Sequence, residues 1–166
     1  MASESAAGTG HAALLPTYRD TIRPDWVDYN GHLRDAFYLL IFSFATDALM
    51  DCIGLDEAGR ARTSSSLYTL ESHINYLREV KLGAVVQVIT RLVGHDAKRL
   101  HIYHEMSLPD TGETVAASEQ MLLHVDVRVA KSAVFSPDVM AHVRAIATAH
   151  SSRPLPHYLG RVIRLP

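Results

Sequence analysis

The chain predicts an α+β fold in which an antiparallel sheet curls around one long helix. Three observations carry that prediction: a strand-like run leading into an Asn-Gly turn, a long apolar helical pattern directly after it, and four long strand-like runs separated by turn residues. The competing arrangement is an open α+β sandwich with the helix on one face.

Each element has its own reason. Residues 1–16 are mostly Ala, Ser and Gly and end at Pro16. They bury too little apolar surface to offset ordering entropy and read as a flexible tail, leaving 17–166 as one domain. Thr17 to Val27 reads as a strand, and Tyr29-Asn30-Gly31 as a turn, since Asn and Gly tolerate positive φ. Ala36, Phe37, Leu40, Phe44, Ala48 and Leu49 recur at three- and four-residue steps and predict a buried helix that stops near Gly54, with Cys52 on its apolar face. Residues 59–66 read as a polar loop. Strands follow at Leu67 to Val80, Ala84 to Gly94, Arg99 to Leu108 and Glu113 to Val127, broken by Lys81-Leu82-Gly83 and Pro109-Asp110-Thr111-Gly112. Ser136-Pro137-Asp138 signals a helix start with Pro just inside it, Val139 to Ala147 carries helical spacing, and Arg153 to Pro166 reads as extended.

Composition narrows the function. A chain of 166 residues with 48% hydrophobic and 20% charged content has the apolar material for one core. Its net charge of −2 lacks the positive bias that displaces phosphate counterions, so no nucleic-acid partner is expected. A single cysteine excludes an intrachain disulfide and leaves a zinc site without its usual thiolates. The apolar run from Phe37 to Leu49 is too short to span a bilayer, and the N-terminus lacks the charged start and apolar stretch of a signal peptide. The expectation is a cytoplasmic protein with no membrane partner.

Chemistry concentrates at the turn. A helix start presents backbone N–H groups without intrahelical partners and the positive end of the helix dipole, so a carbonyl aimed there is polarised. Asp28, beside that start, is a carboxylate able to attack the carbonyl or activate water; the competing reading is a turn aspartate bonding local amides. His32 is read either as a substrate ligand or as a residue satisfying local backbone, and Asn30 either as an orienting amide or as the turn residue. His101 and His104, three apart on a strand, point to opposite faces, and His73 and His124 have no partner at ligand spacing, so no metal is expected. Glu71 and Glu119 lie within strands, where a carboxylate is either catalytic or ion-paired, with Arg78, Lys98 or Arg99 as partners. No Gly-x-Ser-x-Gly elbow occurs. Trp26, Tyr29, Phe37, Tyr38, Tyr68 and Tyr76 gather around the turn and the following strand, as core or as a box for a quaternary ammonium group.

The run Asp28-Tyr29-Asn30-Gly31-His32-Leu33, with Tyr38 beyond it, resembles the hotdog-fold acyl-CoA thioesterases of the 4-hydroxybenzoyl-CoA type. The resemblance implies that Asp28 is the catalytic carboxylate and that helix-start N–H groups around Arg34 and Asp35 polarise the thioester carbonyl. This chain carries Leu33, Arg34 and Asp35 where the commoner version has Val-Asn-Asn, a change that bears on the substrate. Four segments, Asp25 to His32, Glu71 to Ile74, Lys98 to His101 and Glu119 to Asp126, look like the thioesterases of bacterial carnitine breakdown, which act on betainyl-CoA. On that resemblance the catalytic set is Asp28, Asn30, Gly31, His32, Arg34 and Asp35. Trp26, Tyr29, Phe37, Tyr38, Tyr68, Glu71 and Tyr76 would bind an acyl-CoA substrate, in a homodimer or homotetramer that needs no cofactor or metal. The alternatives are a hotdog acyl-CoA hydratase and a non-catalytic acyl-CoA-binding protein.

Overall fold

The computed structural model describes residues 15–165. The flexible-tail reading therefore lies outside the described residues, except at Leu15 and Pro16, which open β1 (Leu15–Thr21) instead. β1 is an edge strand with a register shift between Leu15 and Tyr18, the setting in which a sheet tolerates proline. The strand stops at Thr21 rather than running on to Val27. Pro24 brings no N–H and a preset φ, and it opens a single 3-10 turn, Pro24–Trp26.

The central helix, α1 (Asp35–Cys52), ends where predicted but is rotated from the predicted stripe. Its buried side chains are Tyr38, Ile41, Phe42, Ala45, Thr46, Leu49 and Met50. Phe37, Leu40, Phe44 and Ala48 flank that stripe half-buried, Ala36 is exposed, and Cys52 lies at the surface rather than on the apolar face. Where a helix is apolar nearly all round, periodicity loses its phase, and the surrounding sheet decides which face is innermost.

The expected polar loop at 59–66 contains a short helix, α2 (Glu57–Thr63). Asp56 caps it by accepting the N–H of Gly59 at 2.7 Å, and Gly59 is packed so closely that a Cβ there would lie 2.1 Å from the carbonyl oxygen of Gly54.

Four long antiparallel strands follow: β2 (Ser65–Tyr76), β3 (Val85–His95), β4 (Arg99–Leu108) and β5 (Glu113–Asp126). β2 leaves the sheet before Val80 because the N–H groups of Leu77 and Arg78 both turn onto the carbonyl of Val115, at 2.9 and 3.1 Å. A two-residue β6 (Lys131–Ser132) pairs with β5, and α3 (Pro137–His150) begins at a Ser136 cap as its sequence predicts. The order across the sheet is β1-β3-β4-β5-β2, so β1 and β2 are the edges. The sheet curls around α1 rather than lying open beneath it, as a hotdog fold does: Ile41, Phe42 and Ala45 are fully buried in one core with Val86, Val88, Met106 and Ala116 of three strands. No single helix among the described residues is long and apolar enough to cross a membrane.

His104 and His101 do lie on opposite faces of β4. His104 is fully buried against α1, stacked on Phe42 with ring centroids 5.6 Å apart, while His101 lies half-buried and bonds Glu119 at 2.7 Å. The C-terminal segment crosses the outer side of the sheet rather than running free. Arg91 donates to the carbonyls of Arg153 and Pro154, and Glu119 accepts the N–H of Gly160. Glu119 thus takes a histidine and a backbone amide in place of Arg78, Lys98 or Arg99.

Candidate active site

The Asp28 loop is a closed hydrogen-bonded unit. Asp28 Oδ1 accepts the N–H groups of Asn30 at 2.8 Å and His32 at 3.1 Å, while the Asp28 N–H donates to the His32 carbonyl at 2.9 Å and the Gly31 N–H to the Asp28 carbonyl at 3.0 Å. Gly31, at φ 76°, supplies the left-handed residue the turn requires. The two N–H groups, that of His32 foremost, hold the Asp28 carboxyl below the usual carboxylate range, so it is anionic at neutral pH. Oδ2 has no hydrogen-bond partner among the described residues, which leaves it for chemistry.

A second strand of contacts fastens this loop to the segment after β2. Leu33 donates to Val80 at 2.7 Å and Leu82 to Gly31 at 3.0 Å, and His32 bridges Lys81. That pairing brings Glu79 to 3.5 Å from His32 Nε2. Asp28, Asn30, His32, Asp35, Tyr38 and Tyr76 share a cleft of about 380 Å³ whose remaining wall includes Arg78 and Glu79.

The helix start needs one correction. The Arg34 N–H is bonded to the Trp26 carbonyl at 3.0 Å and is not available to a substrate carbonyl. The Ala36 N–H is taken by the Asp35 carboxylate at 2.8 Å, and the Phe37 N–H by the Arg34 carbonyl at 3.0 Å. Among these first amides the Asp35 N–H alone has no partner within the described residues. It sits where the helix dipole adds to its own donor strength.

The proposed aromatic box divides. Tyr38 and Tyr76 meet edge to face at 5.2 Å and line the cleft; their hydroxyls donate to the carbonyls of Arg78 and Asp35, at 3.2 and 3.3 Å. Burial pushes the Tyr38 phenol up to about 12 and raises that of Tyr76, so both stay neutral at physiological pH. Trp26, only 4% exposed, instead lies in the core, with the half-buried Phe37 stacked on it at 5.8 Å. Tyr29 stands at the turn tip, 94% exposed, and Tyr68 lies further up β2, outside the cleft. Glu71 belongs to a separate recess on the outer side of the sheet, with His73, His101 and Glu119. A site drawing on all seven predicted binding residues is therefore not what the fold builds within one chain.

Glu79, and the place of Arg78 at this cleft rather than beside Glu71 or Glu119, were missed by sequence reasoning. Both residues lie more than forty residues from Asp28 with no motif around them, and only the backbone bridge from Gly31–Leu33 to Val80–Leu82 brings them to the site. No group of three or more His, Cys, Asp or Glu side chains able to hold a metal occurs among the described residues.

Known proteins resemble this chain in sequence and in fold. The family profile of the thioesterase-like superfamily matches residues 22–143. The chain is 58% identical over 153 residues to the betainyl-CoA thioesterase of Pseudomonas aeruginosa, covering 92% of this chain and 96% of that protein. It is 46% identical over 139 residues to the L-carnitine dehydrogenase/betainyl-CoA thioesterase of Agrobacterium fabrum, covering 84% of this chain but only 28% of that longer protein. Among solved structures, a candidate thioesterase of Pseudomonas putida superposes with a TM-score of 0.81 at 54% identity, covering 93% of this chain and 98% of that one. A Staphylococcus aureus protein solved in complex with CoA superposes with a TM-score of 0.86 at 28% identity, covering 93% and 96%. With its anionic Asp28, its open helix-start amide and these likenesses, the chain belongs to the thioesterase-like superfamily and is a thioesterase of the hotdog fold.

Proposed function

We propose that the protein hydrolyses betainyl-CoA to betaine and CoA as a step of carnitine breakdown, at the Asp28 cleft. The observation that carries this reading is the pairing, in one cleft, of an Asp28 carboxylate held as an anion with an unpartnered N–H of Asp35 at the start of α1. The substrate follows from the name of the Pseudomonas aeruginosa relative, which matches nearly the whole chain.

In the reaction the thioester carbonyl accepts the Asp35 N–H, which stabilises the oxyanion as the tetrahedral intermediate forms. Asp28 Oδ2 acts in one of two ways. As a base it takes a proton from the attacking water; as a nucleophile it forms a mixed anhydride that water then opens. Either route breaks the C–S bond and releases a thiolate, a leaving group that needs little protonation, so no Ser-His pair is required. A single turnover in labelled water tests the nucleophilic route: label reaching the Asp28 carboxylate identifies an anhydride opened at the aspartyl carbon.

The test of the whole reading is thiol release from a panel of CoA esters. Betainyl-CoA is expected to turn over best, and Asp28→Asn to lose about 10²- to 10⁴-fold of that turnover. Full activity in that variant would end the proposal.

A homodimer accompanies this reading. The edge strand β2 carries Tyr68 and Leu70 exposed, and the half-buried flank of α1 leaves further apolar surface for a second copy. Light scattering is expected to give twice the chain mass or a higher multiple. A cytoplasmic setting, where CoA esters are handled, suits the single reduced cysteine.

A further inference from the structure

The wall of the cleft has a chemistry of its own. Tyr38 and Tyr76 together form an aromatic surface whose two hydroxyls are both spent on backbone carbonyls. What remains toward a ligand is π surface without a free donor. Such a surface offers nothing to an acyl group that needs hydrogen bonds, and a good deal to a methylated ammonium, which has no N–H to satisfy and is attracted to ring faces.

The charges around it point the same way. Glu79 is largely exposed, with His32 Nε2 3.5 Å from its carboxylate. Arg78, the cation of the same wall, is turned aside: its Nε lies 3.0 Å from Glu113 Oε1 and its Nη1 bonds the Leu77 carbonyl. An exposed carboxylate beside a reacting thioester raises the barrier for a neutral acyl group, because negative charge grows on the carbonyl oxygen near a fixed negative charge. A cation one methylene from the carbonyl reverses that sign, and its attraction increases as the oxyanion forms.

We infer that Tyr76, backed by Tyr38 and faced by Glu79, is the specificity-determining surface of this site and selects acyl groups bearing a quaternary ammonium next to the thioester. The inference rests on the hydrolase reading above and adds to it the side chains that choose the substrate. Tyr76 carries the larger share, since its ring is half exposed at the cleft while Tyr38 lies behind it, 3% exposed.

The experiment compares two thioesters of one shape. Betainyl-CoA and tert-butylacetyl-CoA differ by nitrogen for carbon, so the ratio of their kcat/KM values isolates the charge. The wild-type ratio is expected to exceed one by tenfold or more. Tyr76→Leu, which removes the ring from an exposed edge-strand position, should lower the ratio by roughly three- to thirtyfold, the span of one cation–π contact. Tyr76→Phe, which keeps the ring, should preserve it. Glu79→Gln should lower the ratio by a factor of about three, with less effect in high salt. Turnover of both esters at an equal wild-type rate, or ratios unchanged by both Tyr76→Leu and Glu79→Gln, overturns the inference and leaves the hydrolase reading intact. Failure of the wild-type protein to cleave any CoA ester overturns both.

Discussion

Asp28 Oδ1 receives the backbone N–H of His32 at 3.1 Å, and that bond ties the charge of the carboxylate to the shape of the turn. An asparagine at this position keeps an acceptor for both N–H groups, so the loop survives while the anion is lost. Asp28→Asn is expected to fold with an unchanged circular dichroism spectrum and to lose about 10²- to 10⁴-fold in kcat, the range for removing a positioned base. Because the carboxyl titrates below its ordinary 3.8, the activity of the folded enzyme should show no acid limb from Asp28 above pH 4. A pH–kcat/KM profile measured on folded protein checks this.

Acid should act first on the fold, through His104. Its Nε2 lies 3.1 Å from Thr46 Oγ1 and its Nδ1 2.9 Å from Thr90 Oγ1. Thr46 donates its hydroxyl proton to the Phe42 carbonyl, so it accepts from Nε2–H, and Thr90 donates to Nδ1; the ring is a neutral tautomer held between helix and sheet. Burial lowers its pKa to about 3 from 6.5. In that window the unfolded chain binds the proton and the folded chain does not. Stability is therefore full above pH 6.5 and falls as the pH drops, by up to about 1.4 kcal/mol per unit. Urea midpoints at pH 7.5 and pH 5 should separate accordingly, and the separation should shrink in His104→Gln.

Removing one partner of that ring isolates its hydrogen bond. Thr46→Val preserves volume but leaves the Nε2–H without an acceptor in a dry core. The expected cost is about 1–3 kcal/mol, read from chemical denaturation at neutral pH.

Gly59→Ala tests the packing of α2. The added methyl would lie 2.1 Å from the Gly54 carbonyl oxygen, a backbone atom that cannot swing aside. The helix must shift, and a loss of about 2–4 kcal/mol is expected, seen as a fall in Tm.

Glu119 fastens the C-terminal segment to the sheet through the Gly160 N–H and is itself held by His101. Glu119→Gln should speed hydrogen exchange at Gly160 by tenfold or more while leaving the exchange of β4 and β5 amides unchanged, since the segment opens locally.

What the sequence determined by itself was local: the α1 end near Gly54, the strands from Val85 onward, the Ser136 cap, the Asp28 turn and the opposite faces of His101 and His104. Turn chemistry, capping and strand alternation act over a few residues, and these can be read in order along the chain. The α2 helix went unread although its Asp56 cap is local, because Gly59 weakens the helical pattern in sequence and only its close packing on the Gly54 carbonyl shows why a glycine stands there. Only the tertiary structure decided which face of α1 is buried, because an almost uniformly apolar helix takes its phase from the sheet around it. The same holds for the site. Six aromatics look equivalent in sequence, yet strand register and the bridge to Val80–Leu82 send Trp26 into the core with Phe37 stacked on it, leave Tyr29 at a tip, and bring Tyr38, Tyr76 and Glu79 to Asp28. The Arg34 amide looked open in sequence and is closed by the Trp26 carbonyl, a contact that arises only when the chain folds back ahead of the helix. A carboxylate at a turn is a local property, whereas the wall it faces is assembled by long-range pairing, and long-range pairing has no local signature.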